Sequence, residues 1–464
     1  MKKYATIVSV LLAATMLVSA CTPTNNAAPA ATPAAPAATP ANEPAAPADE
    51  PGEWLPNNGN AATIRMSWWG ADPRHEALIA ALDLYMDRYP HITVDHEFGA
   101  FQGWMDNMVI QLAGQVEPDI MQVNYAWVHA FGGGTNVFLD LNTVSNVLDL
   151  SEWSPELLNF MTTADGQLGA VPHGVTGRVV IYDREMLAEH DLSSFPATFD
   201  EWIELGSSVS VGNAGLDQGN NTYAFYPLGP ETIDVMFLQM LYNNTGKNME
   251  ENGQMLHTVE EVREIFEIIG RMTESGAMPT FEQQEPPHDA TNPVWMEGRG
   301  GSAFEWVGNI FLAGGNFMEN DLDRLGIANL PAVAPGGGQA IMQRPSLGHA
   351  ISRNSDYPEV AAHLLNFLYT DEEALLIIAH HLGVPFSRTA AAIAERDEII
   401  QGLQLEGVDL LINNHGIMSP LFEDPNLRQP RFSIFEAFRT GSIDAETAAE
   451  RFLSEQQSAL DNMR

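Results

Sequence analysis

The sequence predicts an α/β fold built from two lobes, each with a mostly parallel sheet flanked by helices. From about residue 61 onward, short β-prone segments alternate with amphipathic helical segments, which is the pattern of a parallel sheet with helices on its faces. About 400 residues follow residue 60, and this is more than one compact hydrophobic core usually contains. The chain is therefore predicted to form two lobes rather than one.

The predicted elements follow one another without long gaps. Residues 62–69 are β-prone and stop at Gly70, and residues 75–89 place apolar side chains at helical spacing before Pro90. Strand and helix signals then repeat to the end of the chain. Further strands are predicted at 92–98, 119–123 and 179–182, and further helices at 104–112, from Thr198 through Trp202, and at 259–272, 359–369, 371–381 and 446–460.

The N-terminus predicts export and lipid attachment. Lys2 and Lys3 precede a mostly apolar run over 4–18, which is shorter than the ~20 residues that a transmembrane helix needs and fits a signal peptide. Cys21 is the only cysteine in the sequence, and with the Val-Ser-Ala before it this arrangement resembles the lipobox of bacterial lipoproteins. We expect residues 1–20 to be removed and Cys21 to carry lipid, so that no intramolecular disulfide forms.

The segment after the cysteine is rich in Ala and Pro and has almost no large side chains to bury. Such a composition favours an extended, disordered chain. We therefore expect residues 21–60 to contain the lipidated cysteine and a tether between the membrane and the folded lobes.

The formal net charge of −40 limits the kinds of partner. A surface that binds nucleic acid needs clustered Lys and Arg, so nucleic acid is not expected as a partner. The same reasoning argues against docking of the folded lobes on an anionic lipid surface.

Aromatic and polar side chains follow several predicted strands, and in open α/β sheets ligands bind at the carboxyl ends of the strands. Flat aromatic rings can stack on the apolar face of a sugar, while carboxylates, amides and histidines bond its hydroxyls. We therefore expect a carbohydrate site in which Trp69, Trp127 and Trp306 contact the ligand. The other candidates at strand ends and nearby loops are Asp72, Phe101, Gln102, Asn124, Tyr125, His173 and Glu231.

Other tryptophans are expected to fill the core. Trp104, Trp153 and Trp202 lie in helical or linker patterns, where burial is the ordinary role of a large aromatic side chain. Trp68 points away from Trp69 if the strand persists, so one of these two is also expected in the core.

Two arginines lie beside the predicted crossings between the lobes, and each has two possible roles. In the cleft, Arg178 and Arg344 would bind a carboxylate or phosphate through paired hydrogen bonds, and the ligand would then be a uronic acid or a sugar phosphate. Elsewhere they would form surface or interlobe salt bridges in a very acidic protein. The sequence leaves both roles open.

The motifs of catalysis and of metal or cofactor binding do not stand out. The glycine runs lack the Lys and Ser/Thr of a phosphate loop, and neither Gly-x-Ser-x-Gly nor His-Glu-x-x-His occurs. Nothing singles out a carboxylate pair of the glycoside hydrolase type among the 61 acidic residues. We expect a binding protein without a cofactor or metal, and not an enzyme.

A series of short phrases in order along residues 61–464 resembles the family 1 extracellular solute-binding proteins of ABC importers, the group that includes maltose-binding protein. Each phrase is weak alone, but their shared order over almost the whole chain is specific. The phrases are Trp-Trp-Gly at 68–70, Tyr-Pro-His-Ile-Thr-Val at 89–94, Leu-Ala-Gly at 112–114, Pro-Asp-Ile at 118–120, Gly-Ala-Val-Pro-His-Gly at 169–174, Ile-Tyr-Asp at 181–183, Phe-Pro-Ala-Thr-Phe-Asp-Glu at 195–201, Met-Glu-Gly-Arg at 296–299, Phe-Glu-Trp at 304–306, Ile-Ala-Asn-Leu-Pro at 327–331 and Gly-Val-Pro at 383–385.

The resemblance implies a two-lobed, periplasmic-binding-protein-like fold of the class II type, in which crossover segments join the lobes and ligand lies in the cleft between them. It implies an oligosaccharide as the ligand and an ABC transporter permease as the protein partner. It also implies that the protein is a monomer and lies outside the cytoplasm. By the matching phrases, the first lobe is expected at 61–178 and 348–414, and the second at 179–347 and 415–464.

Two groups of alternatives remain open. The same fold could hold a sugar phosphate, a glycerol phosphate, a polyamine or a peptide. A protein of another class, such as a surface glycan hydrolase or an adhesin, is the second alternative. A hydrolase would release shorter sugars from an oligosaccharide, whereas a receptor would only bind it.

Overall fold

The structure is a computed structural model that describes residues 55–132, 137–163, 165–229, 231–379, 381–385 and 387–463. The predicted signal peptide, the lipidation site Cys21 and most of the predicted tether lie outside the described residues. Within the described part of the chain, no helix is both long and apolar enough to cross a membrane.

The strands and helices alternate along most of the chain. The strands are β1 (Ala62–Trp69), β2 (Ile92–Gly99), β3 (Ile120–Val123), β4 (Val171–Pro172), β5 (Gly174–Thr176), β6 (Arg178–Asp183), β7 (Glu250–Glu251), β8 (Gln254–Met255), β9 (Ser302–Trp306), β10 (Leu325–Ala328), β11 (Ile341–Pro345), β12 (Gly348–Ile351), β13 (Val384–Pro385) and β14 (His415–Ile417). The α-helices are α1 (Asp72–Arg88), α2 (Trp104–Gly114), α3 (Tyr125–Gly132), α4 (Pro155–Phe160), α5 (Arg184–Glu189), α6 (Phe199–Val211), α7 (Thr232–Thr245), α8 (Val259–Glu274), α9 (Pro293–Met296), α10 (Ile310–Asn316), α11 (Pro358–Thr370), α12 (Glu372–Ile378), α13 (Arg388–Arg396), α14 (Gly402–Asn413), α15 (Pro425–Arg439) and α16 (Ala445–Asn462).

The first lobe is built on a five-stranded sheet with the order β2-β1-β3-β12-β4. Strands β2, β1 and β3 are parallel, whereas β12 pairs antiparallel with β3 and β4. Ile64 and Trp68 are fully buried on one face of β1, and Trp69 is almost fully buried on the other, because structure covers both faces of the sheet. The carboxyl end of β1 therefore holds Trp69 in a fixed position.

The second lobe contains the three-stranded sheet β10-β6-β9, in which both strand pairs are antiparallel. The α/β prediction is confirmed, but the expectation of a mostly parallel sheet is wrong for this lobe. A single helical crossover between neighbouring strands makes them parallel. Here β6 and β9 are joined by a long connection with several helices, so the alternation of elements did not determine the strand direction.

Each lobe has its own hydrophobic core, as the two-lobed prediction requires. The first core gathers side chains from the five-stranded sheet and from α1, α11 and α12 around Trp68 and Tyr85. The second core is dominated by helices α6, α7, α8, α15 and α16 around Trp202 and Phe237. Trp153 and Trp202 are buried in these cores and Trp104 is partly buried against the first, as their sequence patterns predict.

A third sheet, which we call the crossing sheet, carries the chain between the lobes. Its order is β13-β5-β11-β14, and β5 leads from the first lobe to the second while β11 leads back. These two strands pair antiparallel, with Arg344 opposite Thr176 and Pro345 opposite Val175. These two connections are therefore hydrogen-bonded to each other. The chain returns to the second lobe once more after β13, which pairs antiparallel with β5 in the same sheet, so any rotation of the lobes is confined to one small region.

Helix α14 packs with the second lobe, although residues 348–414 were predicted to lie in the first. Val408 and Leu411 of α14 pack in a cluster with Val179 of β6 and Leu325 of β10. An amphipathic pattern shows which face of a helix is apolar but not which sheet covers that face. The expected boundary at the end of this segment is therefore corrected: α11 and α12 pack in the first core, and α14 does not.

A buried ion pair joins α7 to α15 inside the second core. The Arg431 guanidinium donates from Nε and Nη2 to the Asp234 carboxylate at 2.8 and 3.2 Å, and both side chains are almost completely buried. Breaking such a pair leaves one charge without compensation in a medium that solvates it poorly.

We expect Asp234→Ala to lower the free energy of unfolding by about 3–5 kcal/mol, because Arg431 would remain buried and unpaired. Urea denaturation monitored by circular dichroism would measure the change. Asp200→Ala is the matched control, since Asp200 pairs with Arg271 at the surface with both side chains about half exposed. That variant should cost less than about 1 kcal/mol, and equal losses in the two variants would contradict the prediction.

Two histidines and a tyrosine form a hydrogen-bonded group in the first core. His173 Nε2 lies 2.9 Å from His349 Nδ1, and the Tyr369 hydroxyl lies 2.8 Å from the same Nδ1. Burial, and after it the charge of Arg74, lowers the pKa of His349 from 6.5 to about 3. His349 is therefore neutral in the folded protein under ordinary conditions.

This pKa predicts a specific loss of stability in acid. Because the folded-state pKa lies below the unfolded value, the contribution of His349 is fully present above pH 6.5 and is lost as the pH falls towards 3. The loss is up to about 1.4 kcal/mol per pH unit. In urea unfolding between about pH 6 and 4, His349→Gln should therefore show a shallower dependence of stability on pH than the wild type. Parallel curves for the two proteins would contradict this assignment.

Candidate functional site

A cavity of about 450 Å³ lies between the two lobes beside the crossing sheet. We call this cavity the cleft, and its volume is in the usual range for sites that bind small molecules. The first lobe contributes Trp69, Arg74, Phe101 and Asn124; the crossing sheet contributes Thr176 and Arg344; and the second lobe contributes Glu231, Trp306, Asn309, Glu423 and Arg428.

The aromatic wall of the first lobe is centred on Trp69 at the end of β1. Its ring packs 5.0 Å from Trp127, 5.6 Å from Phe101 and 6.2 Å from Trp104, measured between ring centroids. Trp127 lies behind Trp69 and is itself buried, whereas Phe101 is about half exposed. The wall therefore combines a ring fixed by its neighbours with a more accessible ring at the rim.

Two arginines hold the aromatic ring of the second lobe. The Arg344 guanidinium carbon lies 4.1 Å from the centroid of the Trp306 ring, and that of Arg178 lies 4.6 Å from it. Cation–π contacts of this kind are strongest when water is excluded, and both arginines are buried. The orientation of Trp306 is therefore set by the protein itself.

Carboxylates pair with both of these arginines. Arg178 donates from Nη2 to Glu231 Oε1 at 2.6 Å, and from Nη1 to the Thr232 hydroxyl and the Phe304 carbonyl. Burial acts to raise the pKa of the Glu231 carboxyl. The positive charges of Arg178 and of other nearby arginines outweigh burial, so this pKa is lowered. Glu231 is therefore an ionised acceptor at the edge of the cleft.

The second pair connects the lobes. Arg344 Nη2 lies 3.2 Å from Glu423 Oε1, and the Asn124 side chain donates from Nδ2 to Glu423 Oε2 at 2.6 Å. Asn124 follows β3 of the first lobe, whereas Glu423 precedes α15 of the second. A single buried carboxylate of the second lobe therefore connects that lobe to the first lobe and to the crossing sheet.

Half of the residues expected at the site line the cleft. These are Trp69, Phe101, Asn124, Glu231, Trp306 and Arg344. Tyr125, Trp127 and Arg178 form a layer behind them: Tyr125 lies under Arg344 at 5.5 Å, Trp127 under Trp69 and Arg178 under Trp306.

The remaining three expected site residues belong neither to the lining of the cleft nor to the layer behind it. His173 follows β4 and is buried in the first core, where its ring lies against His349. Its position beside the crossing in sequence therefore does not place its side chain in the cleft. Asp72 and Gln102 are exposed and lie outside the cavity lining. Proximity to a strand end in sequence does not fix the direction in which a loop side chain points.

Several polar residues of the cleft are not among those predicted from the sequence. Arg74 of α1 donates from Nε to the His381 carbonyl at 2.8 Å and from Nη1 to the Trp69 carbonyl at 3.0 Å. The position of Arg74, five residues after Trp69, could have indicated that it lies near the end of β1. Glu423 and Arg428 lie in the C-terminal segment, and nothing in their local sequence connects them to a site formed by strands far away in the chain.

No cluster of three or more His, Cys, Asp or Glu side chains suitable for an ion occurs in the described part of the chain. The cleft instead offers aromatic faces, hydrogen-bond acceptors and guanidinium donors, which together suit a polar organic solute.

Solved structures of similar fold include several binding proteins. A periplasmic solute-binding protein from Pectobacterium atrosepticum is 24% identical over 87% of this chain and 99% of that one, with a TM-score of 0.76. A periplasmic oligogalacturonide-binding protein from Yersinia enterocolitica, in complex with saturated digalacturonic acid, is 22% identical over 86% and 99%, with a TM-score of 0.76. Maltose-bound MalE3 from T. maritima is 18% identical over 85% and 99%, with a TM-score of 0.70. These similarities establish a shared two-lobed fold.

The family is established by a different comparison. The family model described as bacterial extracellular solute-binding protein matches residues 71–375, which is more than half of the chain. This match agrees with the two cores, the crossing sheet and the cleft between the lobes. The chain is therefore a member of the bacterial extracellular solute-binding protein family.

Proposed function

We propose that this chain captures a carbohydrate, an oligosaccharide, in the cleft and delivers it to the permease of an ABC importer. The observation that carries this proposal is that Trp69 from the first lobe and Trp306 from the second line one cavity. Aromatic rings from two sides, with polar groups between them, match the apolar faces and hydroxyl rim of a sugar.

The polar groups of the cleft support the same ligand class. Thr176 Oγ1 and Arg344 Nε are buried and have no hydrogen-bond partner among the described residues. A buried polar atom without a partner costs about 1–3 kcal/mol. Sugar hydroxyls, which both donate and accept, would supply the missing partners.

The ligands of structurally similar proteins point in the same direction. One of these proteins holds saturated digalacturonic acid and another holds maltose. Both ligands are short oligosaccharides, and a cleft of about 450 Å³ suits a ligand of this size. We take this as support for a sugar, with its identity left to the binding experiment.

The crossing sheet supplies a mechanism for capture. In this proposal a sugar first docks on one lobe, the lobes rotate about the crossing sheet, and the other lobe completes the hydrogen-bond shell. Ligand binding would stabilise the closed arrangement because only that arrangement makes both sets of contacts. The permease would then recognise the closed monomer, and ATP hydrolysis would take place on the transporter.

The proposed location is the outer face of a membrane, with the chain anchored through lipid on Cys21. The family is extracellular, which agrees with the predicted signal peptide at 1–20. The Ala/Pro-rich tether would let the folded lobes reach the transporter.

We expect Trp306→Ala to weaken sugar binding by at least about tenfold, because it removes an aromatic face that both binds the ligand and is held by two arginines. Isothermal titration calorimetry of the chain from residue 22 onward, against a panel of neutral, acidic and phosphorylated sugars, would measure the affinity. Chromatography of the same mixtures should show no shorter sugars. Steady release of shorter sugars would instead favour a glycan hydrolase.

Trp202→Phe is the control for this experiment, since Trp202 is buried in the core of the same lobe outside the cleft. This variant should bind with unchanged affinity once a thermal melt shows that it is folded. An equal loss of affinity in both variants would contradict the assignment of Trp306 to the site. Failure of every sugar to bind to the wild type would contradict the proposed function.

The lipid anchor makes a separate prediction. In a bacterial host, wild-type chain should appear in the membrane fraction, whereas Cys21→Ser should be released in soluble form because the thiol that accepts lipid is absent. Immunoblots of the fractions and metabolic labelling with a fatty acid would test this. Retention of the variant in the membrane fraction would rule out Cys21 as the anchor.

A further inference from the structure

We infer that the cleft is specific for an anionic sugar and that Arg428 contacts the anionic group. This inference rests on the proposed function and adds to it the chemical class of the ligand. It is based on the pairing of the charges that line the cleft and on the position of Arg428 among them.

The lining of the cleft contains more positive than negative side chains. Its arginines are Arg74, Arg344 and Arg428, and its carboxylates are Glu231 and Glu423. The whole chain has a formal net charge of −40, so an excess of arginine in this cavity runs against the overall composition. A cavity lined by one sign of charge favours ligands of the opposite sign.

Both lining carboxylates already have an arginine partner. Glu231 pairs with Arg178 at 2.6 Å, and Glu423 pairs with Arg344 at 3.2 Å. These contacts leave Arg428, together with Arg74, as surplus cations. They also argue against a polyamine, because such a ligand needs carboxylates that are free to accept its ammonium groups.

Arg74 and Arg428 differ in how their guanidinium groups are held. Arg74 uses two of its nitrogens on the carbonyls of His381 and Trp69, which fixes its position at the end of β1. The Arg428 guanidinium stacks on Phe432 at 4.9 Å, but the side chain makes no hydrogen bond or ion pair with another described residue, and its Nε is buried. Arg428 lines the cleft and therefore has donors there that no described residue uses.

The charge of Arg428 persists despite its partial burial. Burial acts to lower its pKa, but the charges of Glu423, Asp234 and Glu231 outweigh burial and raise it. A permanently charged guanidinium with unused donors favours an ionised acceptor, because charge-assisted hydrogen bonds are roughly twice as strong as neutral ones. The planar fork of donors suits the two oxygens of a carboxylate or of a phosphate.

Carboxylates and phosphates share this chemistry, so the ligand is a uronic acid or a phosphorylated sugar. Calorimetry at about 0.15 M salt would compare the two classes directly. The ligands are digalacturonic acid, diglucuronic acid, the neutral disaccharides that differ from these at C6, and glucose 6-phosphate. We expect one acidic class to bind at least about tenfold more tightly than the matched neutral sugars. Binding of the uronic acids alone would identify the carboxylate, and binding of the phosphate alone would identify the phosphate.

Variants of Arg428 test the contact itself. Arg428→Gln should weaken binding of the acidic ligand by about 10- to 100-fold and leave the affinity for a neutral sugar almost unchanged. Arg428→Lys, which keeps the charge but loses the planar fork, should retain part of the affinity. Arg271→Gln is the control, because Arg271 lies at the surface in an exposed ion pair with Asp200. Thermal melts would show that each variant is folded.

The outcomes separate this inference from the proposed function. Tight binding of neutral sugars, with no preference for the acidic ones and no effect of Arg428→Gln, would overturn the inference and leave the proposed function intact. An acidic preference that survives Arg428→Gln would overturn the role of Arg428. Binding of no sugar in any arm would overturn both.

Discussion

The guanidinium of Arg344 is the point on which both the cleft and the connection between the lobes depend. It stacks on Trp306 of the second lobe and lies 5.5 Å from the Tyr125 ring of the first, and it pairs with Glu423 at 3.2 Å. It also donates from Nη1 to the backbone carbonyls of Pro345 and Ser346. A buried cation is tolerated only when such partners surround it. The two lobes, the crossing sheet and the Trp306 ring therefore meet at one side chain.

The same requirement explains why Trp306 is held before any ligand arrives. Arg178 is fixed by Thr232, the Phe304 carbonyl and Glu231, and both it and Arg344 contact the Trp306 ring. A ring that is already oriented loses little conformational freedom on binding, so more of its interaction energy contributes to affinity. The proposed sugar site thus derives its rigidity from ion pairs that lie behind and beside it.

The contrast between an acidic protein and an arginine-rich cleft has a simple electrostatic basis. At ordinary ionic strength, charges on the outer surface are screened over about 8–10 Å, whereas charges inside a cavity interact more strongly with a bound ligand. The surface can therefore be strongly negative while the cleft favours an anion. In our proposal, the negative surface interacts with the surroundings of the protein, whereas the arginines of the cleft interact with the ligand.

The α/β class, the two lobes and part of the site could be predicted from the sequence, because they depend on periodicity, on chain length and on the rule that ligands bind at strand ends. Trp69 and Asn124 could be found because Trp69 is the last residue of a strand and Asn124 directly follows one. The tertiary structure alone decided the antiparallel direction in the second lobe and the packing of α14, since both depend on where distant segments return. It also decided that His173 turns into the core and that Glu423 and Arg428 join the cleft. Local patterns carry the tendency of a segment to form a strand or a helix, but they do not carry the contacts between segments that lie hundreds of residues apart.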